Sequence, residues 1–100
     1  MKQPYTIEEI AAIISPIAKA YGVKTVWLFG SCARGEATED SDVDLLIDGG
    51  RIRTLYQLAS LRLDLEDALH RPVDLLTTGG VNPEFLQSLK KDEVILYDAA

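Results

Sequence analysis

Apolar positions follow two rhythms along this chain, and the changes of rhythm mark its elements. Ile10, Ile13, Ile14 and Ile17 recur at helical spacing. Thr6 stands before them with Glu9 three residues later, the arrangement of a capping box. A helix is therefore expected from there. Pro16 interrupts it. Either the helix kinks, or Ser15 caps a new turn with Pro16 in its first position. Gly22 closes the segment. Residues 24–29 are β-branched and aromatic and predict a buried strand, stopped by Gly30. Ser31 to Arg34 predicts the start of a short helix, and residues 35–41 an acidic loop.

A second strand is predicted over 43–47, ended by Gly49 and Gly50. A long helix follows over about 53–70. Leu55, Leu58, Leu61, Leu65 and Leu69 form its expected buried face. Tyr56 and Leu63 fall on the opposite side, where a solvated helix prefers charge. That pair offers a surface for recruiting a partner. Arg71 and Pro72 break the helix. A third strand is predicted over 73–77, then a Gly79-Gly80 turn. Asn82 as N-cap, with Pro83 at the first helical position, opens a helix to about residue 91. The last strand is predicted over 94–97. No repeat or linker divides the chain, so residues 1–100 are expected to form one domain. Alternating helices and strands predict an α/β (α+β) fold, with helices packed on one small sheet.

Composition narrows the function classes. The chain is 47% hydrophobic and 26% charged, values of a globular domain with a modest core. No apolar run approaches a membrane span, and the N-terminus lacks the apolar core of a secretion signal. Cys32 is the single cysteine. It cannot form an internal disulfide, which fits a reducing cytoplasm. The net charge is -6. Glu36, Glu39, Asp40, Asp42, Asp44 and Asp48 crowd into one stretch. A bare surface of that kind repels a phosphate backbone, so autonomous nucleic-acid binding is not expected. With metals bound, the same surface attracts a phosphorylated small molecule.

The chemistry concentrates in Gly30-Ser31-Cys32-Ala33-Arg34-Gly35, Ser41-Asp42-Val43-Asp44 and Val73-Asp74-Leu75. A strand that ends in Gly-Ser and feeds a helix presents unpaired N–H groups to an anion. Gly30 permits close approach of a phosphate, and the Ser31 hydroxyl adds a donor. Asp42 and Asp44, two residues apart in extended backbone, point the same way. Two like charges held so close call for a cation. Asp74 is a third carboxylate in an apolar strand. If that strand lies beside the second, Asp74 reaches the other two acids. Three convergent carboxylates can hold two metal ions about 3.5–4 Å apart, suited to in-line displacement at phosphorus. Arg34, one turn beyond Gly30, could grip triphosphate oxygens.

Other readings fail on single positions. Gly30 to Gly35 outlines a P-loop, but Glu36 stands where its lysine belongs. Asp40, Asp42 and Asp44 resemble the start of a calcium loop, but its sixth and twelfth positions hold Leu45 and Arg51. Asp48 reads as a strand-terminating acid. His70 suits a helix C-terminus, and neither His70 nor Cys32 is assigned catalysis.

Gly30-Ser31-x-Ala33-Arg34-Gly35, then Ser41-Asp42-x-Asp44-Leu45, then Val73-Asp74-Leu75, resembles the nucleotidyltransferase superfamily of DNA polymerase β. Within it the chain is similar to the minimal nucleotidyltransferases, the MNT-domain antitoxins, over nearly its whole length. The resemblance implies that family's fold, a small mixed sheet with helices packed on it. It implies two Mg²⁺ ions on Asp42, Asp44 and Asp74, with Asp74 helping to deprotonate the attacking hydroxyl. It places Gly30, Ser31, Arg34 and Ser41 about an ATP substrate. It also implies a HEPN-domain toxin as partner, which some members inactivate by transferring AMP to a tyrosine. Two other functions fit the same residues. One is a non-catalytic antitoxin acting by occlusion. The other is a small-molecule nucleotidyltransferase, for which the chain shows no acceptor-binding domain.

Overall fold

The computed structural model describes residues 5–30, 42–80, 82–84, 87 and 93–99. Helix α1 spans Ile7–Tyr21, strand β1 Thr25–Phe29, strand β2 Val43–Asp48, helix α2 Leu55–Leu69, strand β3 Val73–Thr77 and strand β4 Val94–Asp98. A 3-10 turn over Thr78–Gly80 follows β3. The expected short helix from Ser31 and the acidic loop lie outside the described residues. So does most of the helix expected after Asn82. Its start is present: Pro83 and Glu84 are helical, and the Asn82 side chain accepts from Glu84 N at 2.7 Å.

Both long helices begin with reciprocal caps. Thr6 accepts from Glu9 N at 3.1 Å, and Glu9 accepts from Thr6 N at 2.9 Å. Thr54 and Gln57 repeat the device on α2, with bonds of 3.1 and 3.2 Å. The second box is a Thr-x-x-Gln signature that the leucine pattern overshadowed. Helix α1 runs through Pro16 as one element. Ser15 opens no new turn: its hydroxyl donates to the Ala11 carbonyl at 2.6 Å. Gly22, at φ 72°, ends α1 in the left-handed region, where L side chains are strained.

The four strands form one mixed sheet in the order β3-β2-β1-β4. β1 is antiparallel to β2 and to β4, while β2 and β3 run parallel through the α2 crossover. Val26, Leu28, Val43, Leu45, Ile47, Val73 and Leu96 meet Ile10, Ile14, Leu61, Leu65 and Leu69 in a buried core. Both helices therefore cover one face of the sheet. Leu58 is partly buried against this core. Leu55, expected on the buried face, is instead 84% exposed. As the first helical residue it sits past the ends of β2 and β3, beside an open cavity lined by Gly49, Thr77 and Gly79. The sheet does not extend far enough to cover it.

At that same end, two corners interlock. Arg51 N donates to the Gly22 carbonyl at 3.0 Å, and Lys24 N to the Asp48 carbonyl at 3.0 Å. Gly50 has φ 57°, and a Cβ on it would overlap the Gly22 carbonyl oxygen and stand 2.9 Å from Lys24 N. The obstacles are backbone, so nothing can swing aside. Between the helices, the Tyr21 hydroxyl meets Ser60 Oγ at 2.9 Å and donates to Asp64. That bond to Asp64 raises the Tyr21 pKa above its usual 10.0.

Two outcomes follow from this packing. Gly50→Ala should destabilise by about 2 kcal/mol or more, from left-handed strain plus the backbone clash. Gly79→Ala, whose Cβ meets nothing within 4 Å, is the matched control; it should stay within about 1 kcal/mol of wild type. Thermal unfolding separates them; equal losses would show that the corner does not constrain Gly50. The second outcome concerns pH. A phenol whose folded pKa is raised favours the folded state fully below its unfolded pKa and loses that contribution as pH climbs through the folded value. Urea midpoints should therefore fall above about pH 10, and Tyr21→Phe should remove that part of the fall while costing about 1 kcal/mol at neutral pH.

Candidate active site

The strand register assembles the site at the opposite end of the sheet. β1 ends at Phe29, which pairs with Asp44 at the start of β2. Asp44 in turn pairs with Asp74 at the start of β3. Neighbouring strands lie about 4.8 Å apart, and directly paired residues project to the same face. Val43 and Leu45 enter the core under the helices. Asp44 and Asp74, of opposite parity, therefore face the other side of the sheet. Val43 N donates to the Pro72 carbonyl at 2.9 Å, which locks the two strand starts together. Asp42 lies just ahead of β2, two residues before Asp44. Asp42 and Asp74 are exposed, and Asp44 is half-buried.

Gly30 completes the described site. It follows Phe29 directly and has φ 75°. A Cβ there would overlap Asp44 Oδ2 and stand 3.2 Å from Asp44 Cγ. The glycine thus has a role beyond the phosphate approach expected of it. It leaves the space that the Asp44 carboxylate fills. No local pattern reveals this contact, because it depends on pairing across β1 and β2.

Asp74 also departs from expectation in one respect. Its strand is apolar, yet its side chain is exposed, so no buried charge needs a partner. Ser31, Arg34 and Ser41 lie outside the described residues. His70 caps α2 in the left-handed conformation at φ 54° and donates its N–H to the Glu66 carbonyl at 2.8 Å.

The donor set suits a hard divalent cation. Carboxylate oxygens are the ligands Mg²⁺ prefers, and like charges on one face gain from its presence. Among the described residues, no three His, Cys, Asp or Glu side chains already stand as a metal cage. What the backbone secures is the Asp44–Asp74 pairing, with Asp42 nearby and Gly30 packed against Asp44.

The Gly30 contact is testable without any activity assay. Gly30→Ala should displace the Asp44 carboxylate and cost about 1–2 kcal/mol from its left-handed φ. If these carboxylates hold Mg²⁺, wild type should melt higher with millimolar Mg²⁺ present, since binding to the folded state stabilises it. Gly30→Ala should lose most of that shift. An undiminished shift would separate Gly30 from the cation site.

Comparison with known proteins agrees with this geometry. The family model "Polymerase beta, Nucleotidyltransferase" matches residues 12–100. MJ0435 of Methanocaldococcus jannaschii, named as a candidate protein adenylyltransferase, is 39% identical over 89 residues, covering 89% of this chain and 90% of that protein. Protein adenylyltransferase MntA of Thermococcus cleftensis is 34% identical over 93 residues, covering 89% and 94%. A solved structure of a candidate minimal nucleotidyltransferase superposes with TM-score 0.75 at 34% identity, covering 90% of this chain and 95% of that one. The fold also matches, at TM-score 0.73 and 17% identity, a chain from the complex of tri-AMPylated Shewanella oneidensis HEPN toxin with MNT antitoxin, covering 94% and 74%. A carboxylate pair set by strand register beside a glycine turn, in a chain matched along most of its length, leads to one assignment: this protein belongs to the polymerase β nucleotidyltransferase family and is a minimal nucleotidyltransferase.

Proposed function

We propose that this protein is a Mg²⁺-dependent protein adenylyltransferase that modifies a HEPN-domain toxin and serves as its antitoxin in the cytoplasm. The observation that carries the proposal is the direct pairing of Asp44 with Asp74 beside Gly30. Support comes from relatives named as protein adenylyltransferases and from a like-folded chain in a HEPN toxin–MNT antitoxin complex.

In this reading, ATP enters with its β- and γ-phosphates at the Gly30-Ser31 turn, with Arg34 and Ser41 beside it. Asp42, Asp44 and Asp74 would hold Mg²⁺, which supplies charge neutralisation for phosphoryl transfer. A tyrosine hydroxyl of the partner attacks the α-phosphorus. The bond to pyrophosphate breaks as the bond to tyrosine forms. The tyrosine proton passes to Asp74, whose exposure leaves room for an incoming side chain. Gly30 keeps Asp44 in place throughout.

Isothermal titration of ATP should give binding only with Mg²⁺, and Asp42→Asn/Asp44→Asn should abolish it. Equal binding by that variant would remove the two acids from the site. Asp74→Asn should eliminate AMP transfer to a cognate partner, read as label from ATP carrying ³²P at the α position. Its melting temperature should shift little, because an exposed acid changes stability by about 0.5 kcal/mol or less. Retained transfer would exclude Asp74 from catalysis. Retained protection of a host from the toxin by Asp74→Asn would favour occlusion.

A further inference from the structure

Helix α2 carries an apolar patch on its outer surface that the nucleotidyltransferase site does not use. Tyr56 is 85% exposed and Leu63 58% exposed. They stand two turns apart, about 10.5 Å along the axis. On the helix wheel they lie directly opposite the stripe of Leu58, Leu61, Leu65 and Leu69. Ala59 and Ser60 lie between them, and the four residues line a notch of about 160 Å³.

The patch has a centre. Tyr56 and Leu63 are equidistant from the point between Ala59 and Ser60, where the side chains are small. Charge is arranged about that same point. Exposed Arg53 lies just ahead of α2 and exposed Asp67 in its last turn, whereas Arg62 already pairs with Glu66 at 4.0 Å and Asp64 accepts from Tyr21. No acid occupies the first turn and no base the last. This is the reverse of what the helix dipole favours. A second α2 laid antiparallel across the first gains at both ends, because each basic end meets the partner's acidic end. A parallel pairing would set like charges together.

We infer that α2 pairs with α2 of a second copy of this chain, antiparallel about a two-fold axis between Ala59 and Ser60. Leu63 of each copy enters the notch beside Tyr56 of the other. Arg53 of each copy faces Asp67 of the other. The contact is isologous, as two-fold symmetry requires. One helix pair buries little area, so the association is weak and concentration-dependent. The patch lies on the outside of the helix layer, whereas Asp44 and Asp74 face the other side of the sheet. Pairing there leaves the active-site edge open to an acceptor.

Sedimentation velocity of the full chain over a hundredfold concentration range tests this. Wild type should shift from monomer toward dimer. Leu63→Glu should remain monomeric, with its fold checked by circular dichroism. Arg53→Glu alone and Asp67→Lys alone should each weaken dimerisation at least fivefold. An equimolar mixture of the two should recover it, because both cross-axis contacts again join opposite charges. A wild type that stays monomeric, a dimer indifferent to Leu63→Glu, or a mixture no tighter than its components would overturn the pairing. So would a monomeric wild type whose Tyr56–Leu63 face binds only a different protein.

Discussion

The active-site edge depends on a balance between like-charge repulsion and strand register. Asp44 and Asp74 pair directly, with Asp42 close by. Two exposed carboxylates about 4 Å apart repel by about 1 kcal/mol in water, and by several times that when buried. The apolar neighbours hold the register against this. Val43, Leu45, Ile47 and Val73 are buried under the helices, and each such side chain contributes about 1.5–3 kcal/mol. Sliding β3 by one residue would turn its apolar face outward. The carboxylates are therefore held together by the residues between them. Exposure of Asp42 and Asp74 keeps the repulsion in the high-dielectric regime.

Local signals made most of the elements legible. The Thr6–Glu9 box, Gly22, the leucine spacing of α2 and the apolar run before Thr77 all reappear in the structure close to where they were expected. Pro16 was ambiguous because proline both breaks helices and begins them. Leu55 was misplaced because helical spacing reports direction around the axis and not the length of the sheet beneath. At the site, parity predicted that Asp42 and Asp44 share a face, and parallel pairing then brought Asp74 alongside. The packing of Gly30 against Asp44 could not be read, since it joins residues on different strands through a turn whose φ no motif specifies.

The two faces of the sheet have different tasks. One is sealed by α1 and α2 and supplies the stability of a domain this small. The other carries Phe29, Asp44, Leu46 and Asp74, with Leu46 and Phe29 buried yet apart from the helix-covered core. Charge is thus kept out of the layer where its desolvation would be most costly. The far end of the sheet is pinned by the Gly22–Gly50 corner. Rigidity at that end and register at the other together set where the carboxylates stand.

The overall charge points the same way as the site. A chain of net charge -6 repels a bare triphosphate at long range. A nucleotide complexed with a divalent cation carries less negative charge and is repelled less, which is the form that the proposed function requires. Under the proposed function, the same charge favours a toxin with a basic surface. Shielding of that surface and its modification are therefore compatible within that proposal. In that proposal the carboxylate row distinguishes them, because shielding needs only net charge, whereas transfer would need Asp44 and Asp74 in register.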